Sequence, residues 1–469
     1  MTGPRTDKSA KTWVLLLTSV ASFMAILDAM VVTTALGAIR QDLGASIELL
    51  EWTVNAYNLS FAVLLLTGAA LGDRFGRRRV FLAGIALFVA ASVGCAVAGD
   101  AGWLIAGRAL QGAGAALLMP VAMALLSAAF PPEERGKALG IFGGLNGIAL
   151  ILGPIVGGAV AEGLAWHWIF WINLPIGLVL IPLARRRIPE SHGPRAGIDI
   201  AGVVLVTGAA LGLVWGLMRG NHLGWTDGEV LASLAAGLLL ALGFVAHERR
   251  AREPMVPLRF FRSRAFTAGI AASFLFYAGM YGVLFLLPQF LQAAQGNGPL
   301  GVGLRLLPWT SPLFVFAPLG GSLVNRLGER TLVVAGLLLQ AIGMAWIGWI
   351  AAPALPFVYL VAPLVIAGAG VSAAMPAAQN AILSAVARSE VGKASGIFNM
   401  VRFLGGVFGV AMAVALFSAN GGVGSPEAFV AGFVPALAIS AALSLLAAII
   451  GMALPGRRAL PLTAAKQQA

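Results

Sequence analysis

Apolar runs of about 18 residues or more recur along this chain from residue 13 to residue 453, and they leave few folds open. A helix needs about 20 such residues to cross roughly 30 Å of hydrocarbon, and inside lipid every backbone N–H and C=O must find a partner within the protein. The runs fall at roughly 13–36, 49–70, 80–98, 103–127, 138–161, 167–184, 198–218, 229–246, 265–290, 303–322, 331–351, 357–382, 394–418 and 428–453, which predicts about fourteen helices. The alternative, a soluble chain of 469 residues, would need several charged domain surfaces, and 11% charged residues with a mean hydropathy of +0.90 cannot supply them. The expected fold class is therefore an all-α polytopic membrane protein. Cys95 is the single cysteine, so an internal disulfide or a cysteine-based metal cluster is excluded.

The formal net charge of +12 could indicate nucleic acid, but its distribution does not. With an even number of spans, 26 of the 31 Lys and Arg lie in segments on the side of the two termini. Arg40, Arg219 and Arg305 edge the other side, and Arg108 and Arg402 lie inside spans. The positive-inside rule then puts both termini in the cytoplasm, and the charge is topology rather than a nucleic-acid face. Lys8 and Lys11 precede the first run as in a signal peptide, but that run is about 24 residues long and carries Asp28, so it reads as a retained helix.

The chain also repeats itself. LGDRFGRRRVFLAG at 71–84 aligns with LVNRLGERTLVVAG at 323–336, an offset of 252, and ERGKALGIF at 134–142 aligns with EVGKASGIF at 390–398, an offset of 256. Met119 and Pro120 fall on Met375 and Pro376 at the second offset. Six helices occupy about 185 residues here, so the offset is too large by roughly 65–70 residues, the length of two helices with their loops. The chain is thus expected to divide into a six-helix half at 1–190, two inserted helices at 191–262 and a second six-helix half at 263–469. Parallel halves of this kind place a substrate site between them near the bilayer midplane.

Several stretches are specific. GDRFGRRR (72–79), built from Gly72, Asp73, Arg74, Gly76, Arg77, Arg78 and Arg79, resembles the loop signature between helices two and three of the major facilitator superfamily. ILGPIVGGAV (151–160), with Gly153, Pro154, Gly157 and Gly158, resembles the Gly-Pro motif that marks antiporters. LDAMVVTTALGAIR (27–40), WLIAGRALQGAGAA (103–116) and WHWIFWINLPIG (166–177) are similar to motifs of helices one, four and six in the fourteen-helix drug:proton antiporters of that superfamily. The resemblance covers nearly the whole chain. It implies a major facilitator fold, proton-coupled export of amphipathic small molecules, and no enzymatic activity.

Asp28 lies mid-span, where a carboxylate costs roughly 2.5–3.5 kcal/mol on insertion scales, so it is the first functional candidate. It could alternate between carrying a proton and meeting a substrate, or it could merely cap a helix kink. Arg108 enters its helix at a compatible depth and is the expected proton-coupling partner, unless it snorkels to the interface. The GxxxG at 153–157 serves either static packing or a pliable helix, and the Gly-Pro resemblance favours the second. Candidate cavity residues in the first half are Glu51, Trp52, Asn55, Tyr57, Gln111 and Asn146. Glu51 could equally be a solvated interface residue, Trp52 and Tyr57 could sit in an aromatic belt, and Asn55 stands where the family usually has a small hydroxyl residue.

The second half contributes Tyr277, Tyr281, Gln289, Gln379, Asn380, Asn399 and Arg402 to the expected cavity, and its spans contain no acid. That disfavours dications and suits neutral, zwitterionic or monocationic amphiphiles. No G-x-x-x-x-G-K-[ST] occurs, since both GK pairs precede Ala, so no ATP site, cofactor or metal is expected and the proton gradient is the remaining energy source. The expectation is a monomeric, multi-pass exporter in the cytoplasmic membrane of a bacterium, with lipid, protons and small amphiphiles as its partners. A dedicated exporter or importer of one metabolite is the runner-up, and a membrane sensor on the same scaffold is a third reading. The acid of the 72–79 loop has no counterpart in the echo, where Asn325 stands, so the loop is expected to latch one half to the other and hold the cytoplasmic side shut in the outward-facing state.

Overall fold

The computed structural model describes residues 8–193, 199–387 and 390–456, and within them every regular element is a helix. The first six crossings are α1 (Lys8–Leu43), α2 (Ile47–Phe75), α3 (Arg77–Ala96), α4 (Ala101–Ala129), α5 (Pro132–Gly163) and the pair α6 (Trp168–Trp171) and α7 (Asn173–Arg187). Next come α8 (Ile200–Leu223) and α9 (Gly228–Arg250), then α10 (Arg264–Gln289), which runs into a short π-helical turn at Phe290–Ala294. Three pieces follow: α11 (Pro299–Arg305), α12 (Leu307–Thr310) and α13 (Pro312–Leu327). The chain ends with α14 (Glu329–Ile350), α15 (Val358–Leu383), α16 (Val391–Asn420) and α17 (Pro426–Gly451).

Thirteen helices among the described residues are long and apolar enough to cross a membrane. The expected span at 303–322 is the exception, because it is broken into α11, α12 and α13. Pro308 and Pro312 each stand in the first positions of a new piece, where a missing N–H matters least, and each stops the piece before it. Short polar side chains start several of the others: Asp100, Asp199, Asp227, Ser263 and Ser425 each accept from a backbone N–H in the first turn of α4, α8, α9, α10 and α17.

The internal repeat has a backbone counterpart. α2 passes into α3 through Gly76 at φ 108°, and α13 passes into α14 through Gly328 at φ 81°. Both lie in the left-handed region that glycine alone enters without strain, so the aligned glycines mark the same helix–Gly–helix turn. Met119-Pro120 and Met375-Pro376 likewise put a proline inside α4 and inside α15.

The helices of residues 8–187 meet those of 264–451 along three lines: α1 against α10 and α11, α5 against α11, and α2 against α16. The last line is covered from outside by α8. Val206, Ala210 and Val214 of α8 form one buried cluster with Leu59 and Val63 of α2 and with Val407 and Ala411 of α16. α9 packs on α8 and leaves Leu231, Leu238, Leu239 and Leu242 exposed, as a lipid-facing helix does.

Candidate functional site

Asp28 and Arg108 meet. The side chains are 3% and 1% exposed, and Arg108 Nη1 donates to Asp28 Oδ2 at 2.5 Å. A charge pair this deep is tolerable only when its other lone pairs and protons are also matched. Gln111 Nε2 (3.1 Å) and Asn173 Nδ2 (2.8 Å) both donate to Asp28 Oδ1, while Arg108 donates further to Gln111 Oε1 at 2.8 Å and to the Thr53 carbonyl at 3.2 Å. Ser92 Oγ accepts from Gln111 at 2.6 Å and from Asn173 at 3.2 Å. The guanidinium lies 4.4 Å from the centre of the Tyr57 ring, a cation–π contact in an apolar setting. Five crossings thus contribute to one network around a carboxylate that accepts on both oxygens, and protonating it would remove the charge that holds Arg108.

The pair lies between two small clefts, each with room for about one water molecule. The first is lined by Arg108 together with Thr33, Asn58, Tyr281 and Phe285. The second touches Asp28 and Asn173 and runs between α1, α5 and α6 past Val160 and Ile169. The guanidinium faces the first cleft and the carboxylate the second.

Other expected cavity residues divide. Tyr281 lines the cleft beside Arg108 and Gln111 belongs to the Asp28 network. Tyr57, Tyr277 and Gln289 are buried; Tyr57 donates to the Ala25 carbonyl at 3.2 Å and Gln289 to the Phe285 carbonyl of its own helix at 2.9 Å. Asn399 is spent on the Ser395 carbonyl at 2.9 Å, whereas Asn146 keeps a buried Oδ1 without a partner and Arg402 a buried Nε without one. Gln379 is half-buried. Two placements correct the sequence reading. Trp52 turns outward onto Trp215 of α8, with ring centroids 6.2 Å apart, because the inserted helices cover that side of α2. Asn380 is exposed and donates to Glu329 at 2.6 Å, at the start of α14. The solvated-interface alternative for Glu51 also fails: the residue is fully buried, takes one hydrogen bond from Asn55 at 3.1 Å, and leaves Oε2 unpartnered.

The 72–79 turn is anchored differently from the expected latch. Arg77 folds back on Asp73 with Nη2 to Oδ1 at 2.7 Å, and the connection after α7 docks onto both. The Arg77 N–H donates to the Ser191 carbonyl at 2.8 Å, the Gly193 N–H to the Asp73 carbonyl at 3.2 Å, and the Arg78 N–H to Glu190 Oε1 at 2.9 Å. Arg78 and Arg79 add ion pairs to Glu190 at 3.7 and 3.8 Å. Gly72 packs against Val121 of α4, and Arg74 is exposed. In this state the turn therefore grips the segment leading to the inserted helices, and its described partners all lie before residue 194.

On the opposite face, residues 8–187 close onto 264–451. Gln292 donates to the Thr34 carbonyl at 2.7 Å, and Glu162 accepts from the Leu300 N–H at 2.8 Å. The Gly-Pro motif lies in this seal. A Cβ at Gly157 would stand 2.5 Å from Thr34 Oγ1 and from the Val31 carbonyl of α1. Gly153 abuts Met30 of α1, a Cβ at Gly158 would overlap the Pro299 carbonyl of α11, and one at Gly303 would overlap the Pro154 carbonyl. Toward the arginine-rich face α5 buries Ala138 and Phe142 but leaves one side bare: Gly140, Gly143 and Gly144 have open space where a Cβ would go.

Sequence reasoning missed Ser92, Asn173, Glu190 and Glu162. Asn173 lay within a quoted motif, and Glu190 is an acid just beyond the Arg185–Arg187 run, but Ser92 carries no signal in an apolar run.

Comparison with known proteins agrees with this geometry. A sequence model described as Major Facilitator Superfamily matches residues 18–410 and, overlapping, 270–468. The chain is 34% identical over 433 residues to the tetracenomycin C resistance and export protein of Streptomyces glaucescens, covering 90% of this chain and 79% of that one. It is 33% identical over 407 residues to the multidrug resistance protein Stp of Mycobacterium tuberculosis, covering 86% and 75%. Among solved structures it superposes on the POT-family transporter PepTSo with a TM-score of 0.71 at 15% identity, over 96% of this chain and 97% of that one. Thirteen lipid-length helices, one buried ion pair between two clefts and these matches lead to one conclusion: the chain is a multi-pass membrane transporter, not an enzyme, and belongs to the Major Facilitator Superfamily.

Proposed function

We propose that this protein is a proton-coupled exporter of amphipathic small molecules, working by alternating access between two six-helix halves (1–190 and 263–469), with 191–262 as an inserted pair. It would sit as a monomer in the cytoplasmic membrane of a bacterium with both termini in the cytoplasm, and use the proton gradient without any cofactor. The observation that carries the reading is the partition: Arg108 lines one cleft and Asp28 the other, so a change on either side is felt across the ion pair. A substrate that widens the first cleft from the arginine-rich face competes for the guanidinium. A proton arriving through the second neutralises Asp28 and weakens its hold on Arg108 and on the Asn173 and Gln111 amides, which are then free to re-pair. Because the donors sit on different helices, re-pairing shifts those helices relative to α1 and favours the alternative arrangement of the halves.

The names of relatives support export of foreign or self-made toxins: one is a tetracenomycin C resistance and export protein and another a multidrug resistance protein. The former, named for a single compound, keeps open the reading that this chain exports one dedicated metabolite. The decisive measurement is substrate-driven proton movement in proteoliposomes. Wild type is expected to acidify or alkalinise the lumen on substrate addition, and Asp28→Asn to lose the proton signal while still binding substrate. Undiminished proton-coupled efflux by Asp28→Asn would overturn the assignment of that residue.

A further inference from the structure

The two arginines inside spans are treated very differently. Arg108 is buried and neutralised by Asp28, whereas Arg402 on α16 is half-buried and bonds to no carboxylate among the described residues. Its Nε is buried without a partner, and its guanidinium stands 5.1 Å from the centre of the Tyr277 ring. The Tyr277 hydroxyl is itself fully buried and unpartnered, and Tyr281 faces the same guanidinium. No acid on α10 to α17 can answer this charge, since Glu329, Glu390 and Glu427 sit at helix ends, and Glu51 is hydrogen-bonded to Asn55 on α2. A half-buried guanidinium without a carboxylate partner, beside an unpartnered phenol, is open to a visiting anion.

The space between the arginines is aromatic. Tyr57 beneath Arg108 stacks on Phe61 at 6.4 Å, Phe61 meets Phe403 at 4.3 Å across the α2–α16 line, and Phe403, Tyr281 and Tyr277 continue to Arg402. The internal repeat adds an independent pointer. At the offset of 256, Arg402 corresponds to Asn146 of α5, which also carries a buried polar atom without a partner, so equivalent positions of the two repeats both present unmet polar groups.

We infer that Arg402, with the hydroxyls of Tyr277 and Tyr281, is the binding point for the acidic group of a planar aromatic substrate whose ring system lies against the aromatic row. This rests on the transport reading and narrows it: the preferred cargo is an aromatic acid, not a cation. Flat rings suit the row, and a carboxylate can take two N–H donors from one guanidinium.

The test is equilibrium binding to the purified full-length chain in neutral detergent, without any gradient, so failure of proton coupling would leave it untouched. The probes are anthracene-2-carboxylate, its neutral amide and the cation ethidium, followed by fluorescence anisotropy. Wild type should bind the carboxylate about tenfold or more tightly than the amide, the scale of a hydrogen-bonded charge pair. Arg402→Gln should abolish that ratio and leave the amide and ethidium within about twofold. Three results would overturn the proposal: equal affinity of wild type for acid and amide; equal loss of all three probes in Arg402→Gln; or displacement of the carboxylate by phosphatidylglycerol but not by benzoate, which would reassign the site to a lipid headgroup. Should Arg402→Gln fail to fold, the acid-to-amide ratio of the wild type still decides.

Discussion

Asp28 and Arg108 depend on each other more than either depends on its helix. Removing one partner of a buried pair strands the other, at about 3–5 kcal/mol. In Arg108→Leu the carboxylate keeps the Gln111 and Asn173 amides as donors, whereas Asp28→Asn strands a guanidinium that cannot lose its proton. Both single variants are therefore expected to lower thermal stability, Asp28→Asn at least as much as Arg108→Leu, and the double variant Asp28→Asn, Arg108→Leu to recover part of the loss. A double variant that loses the sum of the two in a detergent melting assay would contradict this. Asn173→Ala should cost about 1–3 kcal/mol, the penalty for leaving a buried acceptor short of a donor. Charge in an apolar run stands out, so Asp28 and Arg108 were legible in the sequence. Ser92 and Asn173 were not, because a small polar residue in a span gains meaning only from the helices that converge on it. Trp52 misled for a related reason: an aromatic near a span end looks the same whether it faces a cavity, lipid or an inserted helix.

Among the elements, α5 shows how a motif becomes a mechanical part. Its Gly153–Gly158 end is held between α1 and α11, while toward its other end only one side is buried, through Ala138 and Phe142, and the side with Gly140, Gly143 and Gly144 meets nothing. Gly158→Leu is expected to unseat the Glu162–Leu300 and Gln292–Thr34 closures and bias the protein toward the opposite state. Spin-label distances between the ends of α1 and α11 should widen on that face, and an unchanged distance distribution would reduce the motif to packing. At the α2–α3 turn, Gly76→Ala should cost about 1–2 kcal/mol, since φ 108° suits only glycine and Glu190 fills the space a Cβ would need. The turn's glycines were legible because the repeat prints them twice. Its partner was not, since the approach of Glu190 depends on the path of 188–193, which no periodicity encodes. The inserted helices carry their own link: Asp199 caps α8 through the Gly202 N–H at 2.7 Å and holds His247 of α9 at 2.7 Å. Burial opposes ionisation of Asp199, but these hydrogen bonds outweigh it and keep its carboxyl below the usual carboxylate value. A depressed value stabilises above the unfolded pKa and is lost as pH falls through the folded one. Asp199→Ala should thus cost about 1 kcal/mol at neutral pH, and the difference from wild type should shrink in acid below pH ~4.

At the scale of the molecule, one face is sealed and the other is open along α5, which makes a prediction about sidedness. In a background with buried Cys95 replaced by Ser, a cysteine at Gly143 should react with a membrane-impermeant maleimide from the arginine-rich face of oriented vesicles. A cysteine at Leu300, beside the Glu162 closure, should be slow from the other face. The reverse pattern would mean that the resting protein adopts the opposite arrangement. Number and order of crossings were legible because lipid imposes one rule on every span, and what escaped was that two prolines cut the tenth, expected at 303–322, into pieces.

α8 lies across the α2–α16 line and α9 lies outside α8, whereas the glycine side of α5 carries no such cover. A solute approaching from the arginine-rich face therefore meets two extra helices on one flank and exposed glycine backbone on the other. Its approach is lopsided, and bulk added beside Gly143 would hinder every cargo that comes that way at once.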